Sequence, residues 1–224
     1  METETPPSDI PSGQKEKVVE AFVLLDRQYE LTRHLIQTSG TALDKFENAM
    51  GENRQDLTNV LSVFNYVFAL IDHLVRYQKI VFSFPVISQK SAECRALNTT
   101  MGELKDARNQ LQHINMDIEN ENSGPLLGAV GWAKGNTQYM AALTDVSRKR
   151  SSPGLIFDTH EGKHTSEFCY IYGEVYHDLG KAVEGMHKFQ EFLRKKVSVT
   201  VDGKDYNPAK HFIALKMQIN LLEN

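Results

Sequence analysis

One segment, from Gln55 to Phe82, constrains the fold of this chain more than any other. Its apolar side chains recur at the spacing of a helix. One stripe holds Leu57, Leu61, Phe64, Phe68, Ile71 and Val75, and the residues that widen it are Val60, Val63, Val67, Leu70 and Leu74. A helix that is apolar on two sides must be covered on both, so we expect it at the centre of a helical bundle.

Helical periodicity also occurs on both sides of this segment. Upstream, it predicts a helix that ends near residues 39–40, followed by a short helical turn over 43–50. Downstream, it predicts a long helix over about 89–119, with Arg108 and Asn115 on its apolar seam. The Pro-rich residues 1–14 are typical of a disordered tail.

The pattern changes after residue 120. Short apolar runs bounded by Gly, Pro or Ser predict the strands of a small antiparallel sheet. These runs are 126–132, 138–146, 155–158 and 167–174. A helix over 176–197, a hairpin around residues 202–203 and a last helix over 208–222 follow.

The expected fold class is therefore mainly α, a helical bundle with a small antiparallel β insertion and C-terminal helices (α+β). After the tail we predict a single domain over 15–224. Within it the bundle covers 15–119, the sheet covers 120–175, and the C-terminal helices with their hairpin cover 176–224.

Composition narrows the function classes. The net charge of −4 excludes the strongly basic surface of a general nucleic-acid coat, but leaves room for a local basic groove. Two cysteines, Cys94 and Cys169, are too few for a disulfide framework or a four-ligand zinc site. No stretch of eighteen apolar residues and no signal-peptide pattern is found. We therefore expect a cytoplasmic protein with no membrane association.

One group of residues, in the sequence LKDARNQLQH, has the side chains that a catalytic site requires. On a helix Arg108 and His113 lie about 140° apart with Asn109 between them, and Asp106 lies about 20° from His113. Arginine offers a planar set of donors to a phosphate, and histidine moves protons near neutral pH. Such a set suits phosphodiester chemistry and requires neither a metal nor another cofactor.

The sequence RNQLQH at 108–113 resembles the Arg-x4-His signature of the HEPN superfamily (higher eukaryotes and prokaryotes nucleotide-binding). The resemblance covers about 14–119 as helical layout and six residues as motif. It implies a metal-independent endoribonuclease whose arginine and histidine meet those of a second protomer. It assigns phosphate binding to Arg108, general base or acid work on the 2′-hydroxyl to His113, and a supporting role to Asn109. The implied partners are a second copy, RNA and a cognate antitoxin of a defence or toxin–antitoxin system.

Other interpretations stay open. The same motif fits a structural pair in a non-catalytic dimerisation or nucleotide-binding module, and a cleft between bundle and sheet would suit a small-molecule regulator. Asp72 and Arg76, four residues apart on the central helix, predict an ion pair that bridges to a neighbouring helix. The alternative hypothesis, which gives the pair a functional role, is that it orients the side chain of Arg108 or His113.

Three further features have predicted places. Trp132 is expected to pack between the sheet and the helices. Tyr170 and Tyr172, which share a strand face, are expected to form a surface or partner patch. The basic runs 148–150 and 194–196 are interpreted as solvated, the second as a favourable charge at a helix C-terminus.

Overall fold

The computed structural model describes residues 12–52, 56–85, 87–102, 104–112, 127–143, 157–158, 163–164, 168–172, 175–201, 203–210 and 213–215. Its helices are α1 (Ser12–Gly51), α2 (Leu57–Phe82), α3 (Ala92–Met101), α4 (Leu104–Gln112) and α5 (Leu179–Lys196). Its strands are β1 (Ala129–Lys134), β2 (Thr137–Ala142), β3 (Phe157–Asp158), β4 (Lys163–His164), β5 (Phe168–Tyr172), β6 (Val175–Asp178), β7 (Thr200–Val201) and β8 (Lys204–Asp205). A short 3₁₀ helix, Pro208–Lys210, follows. The predicted class, mainly α with a small antiparallel sheet, is confirmed.

Helix α2 lies at the centre, as its two apolar sides predict. It contacts α1, α3, α4, α5 and the strands β1 and β2. In the part of the chain that the structure describes, it is also the one helix long and apolar enough, by length and composition, to cross a membrane. A core helix of a soluble protein passes the same test, and 44% of the apolar window of α2 is buried against the rest of the molecule.

Side-chain caps set where several helices begin. The carboxylate of Asp56 accepts a hydrogen bond from the backbone N–H of Thr58, and the hydroxyl of Ser91 accepts one from Cys94. Asp178 does the same for Lys181 at the start of α5. These caps satisfy N–H groups that have no partner within the helix.

The main sheet has the strand order β2-β1-β5-β6, and all its neighbouring strands are antiparallel. A tight turn at Gly135-Asn136 joins β1 to β2, with Gly135 at a φ of +57°. One face of the sheet packs on the helices. There the indole of Trp132 meets the ring of Phe46 at 5.1 Å between centroids and donates to Glu47. The predicted core position of Trp132 is confirmed.

The predicted surface position of the two tyrosines is wrong. Tyr170 is fully buried and Tyr172 is 8% exposed. Tyr170 lies on the helix-facing side of β5, where its ring packs edge-on against Phe68 of α2. Tyr170 and Tyr172 do share one face of β5, as the alternation of side chains along a strand predicts, but that alternation does not reveal which face the helices cover.

Several helix boundaries also differ from the prediction, and the helix predicted over 176–197 begins only at Leu179, after strand β6. Helix α1 runs through residues 39–40 to Gly51, because Phe46 and Glu47 are held by the sheet and offset the weak helix preference of Gly40. It begins at Ser12, inside the predicted tail, whereas residues 1–11 lie outside the described part. The predicted long helix over 89–119 is interrupted after Met101, next to Gly102. The predicted last helix is wrong at residues 213–215, which are not helical, although Pro208–Lys210 forms a 3₁₀ helix.

Candidate functional site

The site is built on the contact between α4 and α2. Leu104 and Ala107 are buried and hold α4 on the bundle. Arg108, next along the chain, therefore lies at the edge of this contact, with its side chain 22% exposed. Its Nε donates to Oδ1 of Asp72 on α2 at 2.7 Å.

Asp72 holds a second arginine. Nη2 of Arg76, one turn further along α2, lies 2.7 Å from Oδ2 of Asp72. The two arginines thus use different oxygens of one carboxylate, and we call Asp72, Arg76 and Arg108 the arginine trio. Burial by itself raises the pKa of the Asp72 carboxyl, but the hydrogen bond from Arg108 and the charges of Arg76 and Arg108 outweigh it. The pKa is consequently below its usual range.

The trio has one net positive charge, because two guanidiniums share a single carboxylate. Among the described residues, neither arginine has a hydrogen-bond partner other than Asp72. The two terminal nitrogens of Arg108, and Nε and Nη1 of Arg76, remain as donors. Such a cationic pair of planar donors is suited to an anion such as a phosphate.

The other predicted site residues are not joined to the trio. Asn109 and Asp106 are exposed on α4, and no hydrogen bond or ion pair of either is found within the described ranges. His113 lies outside the described residues, one position beyond the end of α4. The structure therefore brings together Arg108, Asp72 and Arg76 of the predicted set.

His73 borders the trio on the side of α1. Its backbone carbonyl accepts a hydrogen bond from Nε2 of Gln28 at 3.3 Å. Burial, followed by the positive charge of Arg76, lowers the pKa of His73 below 6.5, although Asp72 opposes this. The imidazole is consequently neutral at pH 7. Its Nδ1 is buried and has no partner among the described residues.

A second polar cluster, which the sequence reasoning missed, joins α1 to α5. Oδ1 of Asp26, a residue 1% exposed, accepts hydrogen bonds from Gln190 at 2.9 Å and from Nη2 of Arg194 at 2.6 Å. Arg194 also reaches Glu30 at 3.0 Å, and its guanidinium lies over the ring of Tyr29. Arg194 lies in the last turn of α5 with a side chain 41% exposed, as the sequence predicts, but it is also paired with Asp26 and Glu30, a pairing that was not predicted. The sequence feature that indicates this cluster is Asp26, an acidic residue within the apolar stripe of α1.

Two more hydrogen bonds complete this cluster. The hydroxyl of Tyr77 on α2 donates to Oε1 of Gln190 at 2.9 Å. The hydroxyl of Tyr29 lies 3.1 Å from Nδ1 of His187. We call Asp26, Tyr29, Glu30, Tyr77, His187, Gln190 and Arg194 the buried cluster, after the buried carboxylate of Asp26; Arg194 lies at its edge, with a side chain 41% exposed.

An apolar cleft of about 470 Å³ opens between the bundle and the sheet. Its lining includes Phe46, Met50, Leu57, Val60, Met140 and Leu143. Val60 and Asp72 are about 18 Å apart along α2, at the rise of an α-helix. The cleft and the arginine trio are therefore separate features.

No protein-family model, no curated protein and no solved structure matches this chain. Within the described ranges, no group of three or more His, Cys, Asp or Glu side chains is arranged to hold a metal ion.

Proposed function

We propose that this protein is a HEPN-like, metal-independent endoribonuclease of the cytoplasm, in which Arg108 binds the phosphate that is attacked. The observation that carries the proposal is the anchoring of Arg108. Its Nε is held by Asp72, and its terminal nitrogens stay available at the edge of the α2–α4 contact. An arginine fixed in this way stabilises developing negative charge without having to be reoriented.

In the proposed reaction His113 removes the proton from a ribose 2′-hydroxyl. The 2′-oxygen attacks the adjacent phosphorus, and the bond from phosphorus to the 5′-oxygen breaks. A protonated His113 imidazole, as the general acid, gives a proton to that leaving oxygen, and the products are a 2′,3′-cyclic phosphate and a free 5′-hydroxyl. Asp72 positions Arg108, Arg76 supports that arrangement, and Asn109 supports His113. In the setting that the resemblance implies, a cognate antitoxin controls the activity.

Incubation with single-stranded RNA in the presence of EDTA tests this proposal. Wild type is expected to cut the RNA and leave 2′,3′-cyclic phosphate ends, and to leave a 2′-deoxy strand intact. Arg108→Ala and His113→Ala are each expected to lower the rate by about 10²- to 10³-fold or more. Arg95→Ala, which removes an exposed arginine of α3, is the matched control.

Two results contradict the proposal. If wild type cuts no RNA with or without chelator, the proposed catalytic function is wrong. If EDTA abolishes cleavage, the reaction depends on a metal. Circular dichroism of each variant separates a lost site from a lost fold.

A second candidate function is a non-catalytic dimerisation module, and the surface of α1 favours it. Leu24 and Leu31 are 57% and 56% exposed and, seven residues apart, share one face of the helix. A second copy that covers the two leucines would bury this exposed apolar face of α1.

Light scattering after size exclusion tests the dimer. Wild type is expected at twice the mass of the chain, and Leu24→Glu with Leu31→Glu at the mass of one chain. Dimer formation without any RNA cleavage favours the non-catalytic function. A wild-type monomer that cuts RNA contradicts a site shared between two copies.

A further inference from the structure

The arginine trio contains more positive charge than a structural ion pair requires. One arginine is enough to balance Asp72, and Arg108 does so through a hydrogen bond of 2.7 Å between α4 and α2. Arg76 is on the same helix as Asp72 and therefore ties no second element to the bundle. Exposed intrahelical pairs of this kind contribute only about 0.3–0.5 kcal/mol. A stabilising role alone thus does not account for Arg76.

The exposure of Arg76 fits contact with a ligand. Its side chain is 59% exposed, compared with 22% for Arg108, and it is nevertheless fixed by the contact of Nη2 with Asp72. A guanidinium that is held in place loses less conformational freedom when it binds an anion. Its Nε and Nη1 have no partner among the described residues.

The geometry also limits what kind of anion binds. Asp72 already occupies the point at which the two guanidiniums converge, one on each carboxylate oxygen. An incoming anion therefore meets the donors that Asp72 leaves free on two guanidiniums, each of which is held by a different carboxylate oxygen. Single-stranded RNA presents successive phosphates along its backbone and therefore offers one to each guanidinium.

We infer that Arg76 is a second phosphate-binding residue, which rests on the proposed role of Arg108, and that the trio holds neighbouring phosphates of single-stranded RNA. Arg108 contacts the phosphate that is attacked, and Arg76 contacts the next phosphate along the strand. Asp72 holds both guanidiniums in place. Arg76 binds the RNA strand and fixes which phosphate lies at Arg108, and it takes no part in proton transfer.

Binding of a fully 2′-O-methylated, fluorescent single-stranded RNA tests the inference, because this strand has no 2′-hydroxyl to attack. Fluorescence anisotropy is measured from 50 to 200 mM salt for wild type and variants. Arg76→Ala is expected to weaken binding about tenfold at the low-salt end. It is also expected to reduce the slope of log K against log salt by about 0.7, the value for one lost phosphate contact on a single strand. Arg76→Lys is expected to keep the slope, because it keeps the charge.

Arg95→Ala is again the matched control, with one exposed arginine removed from α3. If Arg76→Ala behaves like Arg95→Ala while Arg108→Ala loses binding, the inference is overturned and the proposed function survives. If wild type does not bind the strand and cuts no RNA, both are overturned. If Arg76→Ala lowers only the cleavage rate and leaves affinity and salt slope unchanged, Arg76 acts through Asp72, and a phosphate contact is excluded.

Discussion

The molecule has two places where arginine meets aspartate, and they differ in what surrounds the carboxylate. In the buried cluster Asp26 is 1% exposed, and Glu30 contributes a second negative charge to Arg194. In the arginine trio Asp72 has a side chain 27% exposed, and two positive charges share it. The first arrangement gives a buried carboxylate a charged partner and has an excess of negative charge, whereas the second has an excess of positive charge. Similar residue pairs thus serve stability in one place and are available for ligands in the other.

Arg194→Ala gives the largest expected effect, a loss of about 2–3 kcal/mol in the free energy of unfolding, since Asp26 is buried but the guanidinium is partly solvated. The variant leaves the carboxylate of Asp26 buried without its charged partner. Urea denaturation followed by circular dichroism measures the change. Lys195→Ala, the exposed next residue, is the control and is expected to change stability by no more than about 0.5 kcal/mol. Equal effects of the two variants would show that Asp26 does not need Arg194.

Tyr29→Phe is expected to destabilise the protein by about 1 kcal/mol. It removes the hydrogen bond to His187 but keeps the ring beneath the Arg194 guanidinium. Tyr139→Phe is the control, since this ring stacks on Trp132 and no hydrogen bond of its hydroxyl is found among the described residues. A larger loss in Tyr139→Phe than in Tyr29→Phe, by the same denaturation measurement, would argue against the hydrogen bond.

Arg108→Ala is expected to change the free energy of unfolding by less than about 1 kcal/mol, because its ion pair is partly solvated and Arg76 stays on Asp72. The same denaturation experiment measures it. A small change of this size together with a large loss of RNA cleavage would show that the trio, unlike the buried cluster, contributes little to stability. A loss as large as that of Arg194→Ala would instead make the trio a structural feature and remove the contrast.

The smallest expected effect is on pH dependence. Burial, and then nearby positive charge, lowers the pKa of His73, and burial lowers that of His187 despite the opposing charge of Glu191. A histidine whose pKa is lower in the folded state takes up its proton more readily when unfolded. Its stabilising contribution is therefore complete above pH 6.5 and is lost as the pH falls below that value. The urea concentration at the midpoint of unfolding is expected to be lower at pH 5.5 than at pH 7.5.

His187→Gln is expected to reduce this fall, whereas His34→Gln, at an exposed position of α1, is expected to keep it. A midpoint that rises on acidification would contradict the direction assigned to both groups. The pKa of Asp72 is lowered from 3.8, so its carboxylate stays charged throughout this range and the trio is expected to be unaffected.

Part of the site could be predicted from the sequence because it depends on local spacing. The separation of four residues between Asp72 and Arg76 predicts their ion pair, and the polar position of Arg108 on an apolar seam predicts contact with a neighbour. The buried cluster could not be predicted in this way. Asp26 and Arg194 are separated by 168 positions, and the charge run at 194–196 looks like an ordinary helix end. The HEPN resemblance, the dimer and the role of His113 stay predictions.

By itself, the sequence determined the central position of α2, the helical and antiparallel class and the hairpin of β7 and β8, because hydrophobic periodicity and turn residues act over a few neighbouring positions. Only the tertiary structure decided that α1 continues past Gly40, that Tyr170 faces the helices, and that Asp72 is shared by two arginines. Each of these depends on which distant surface covers a residue. Burial and pairing across the fold outweigh local preferences that are worth about 1 kcal/mol or less per residue.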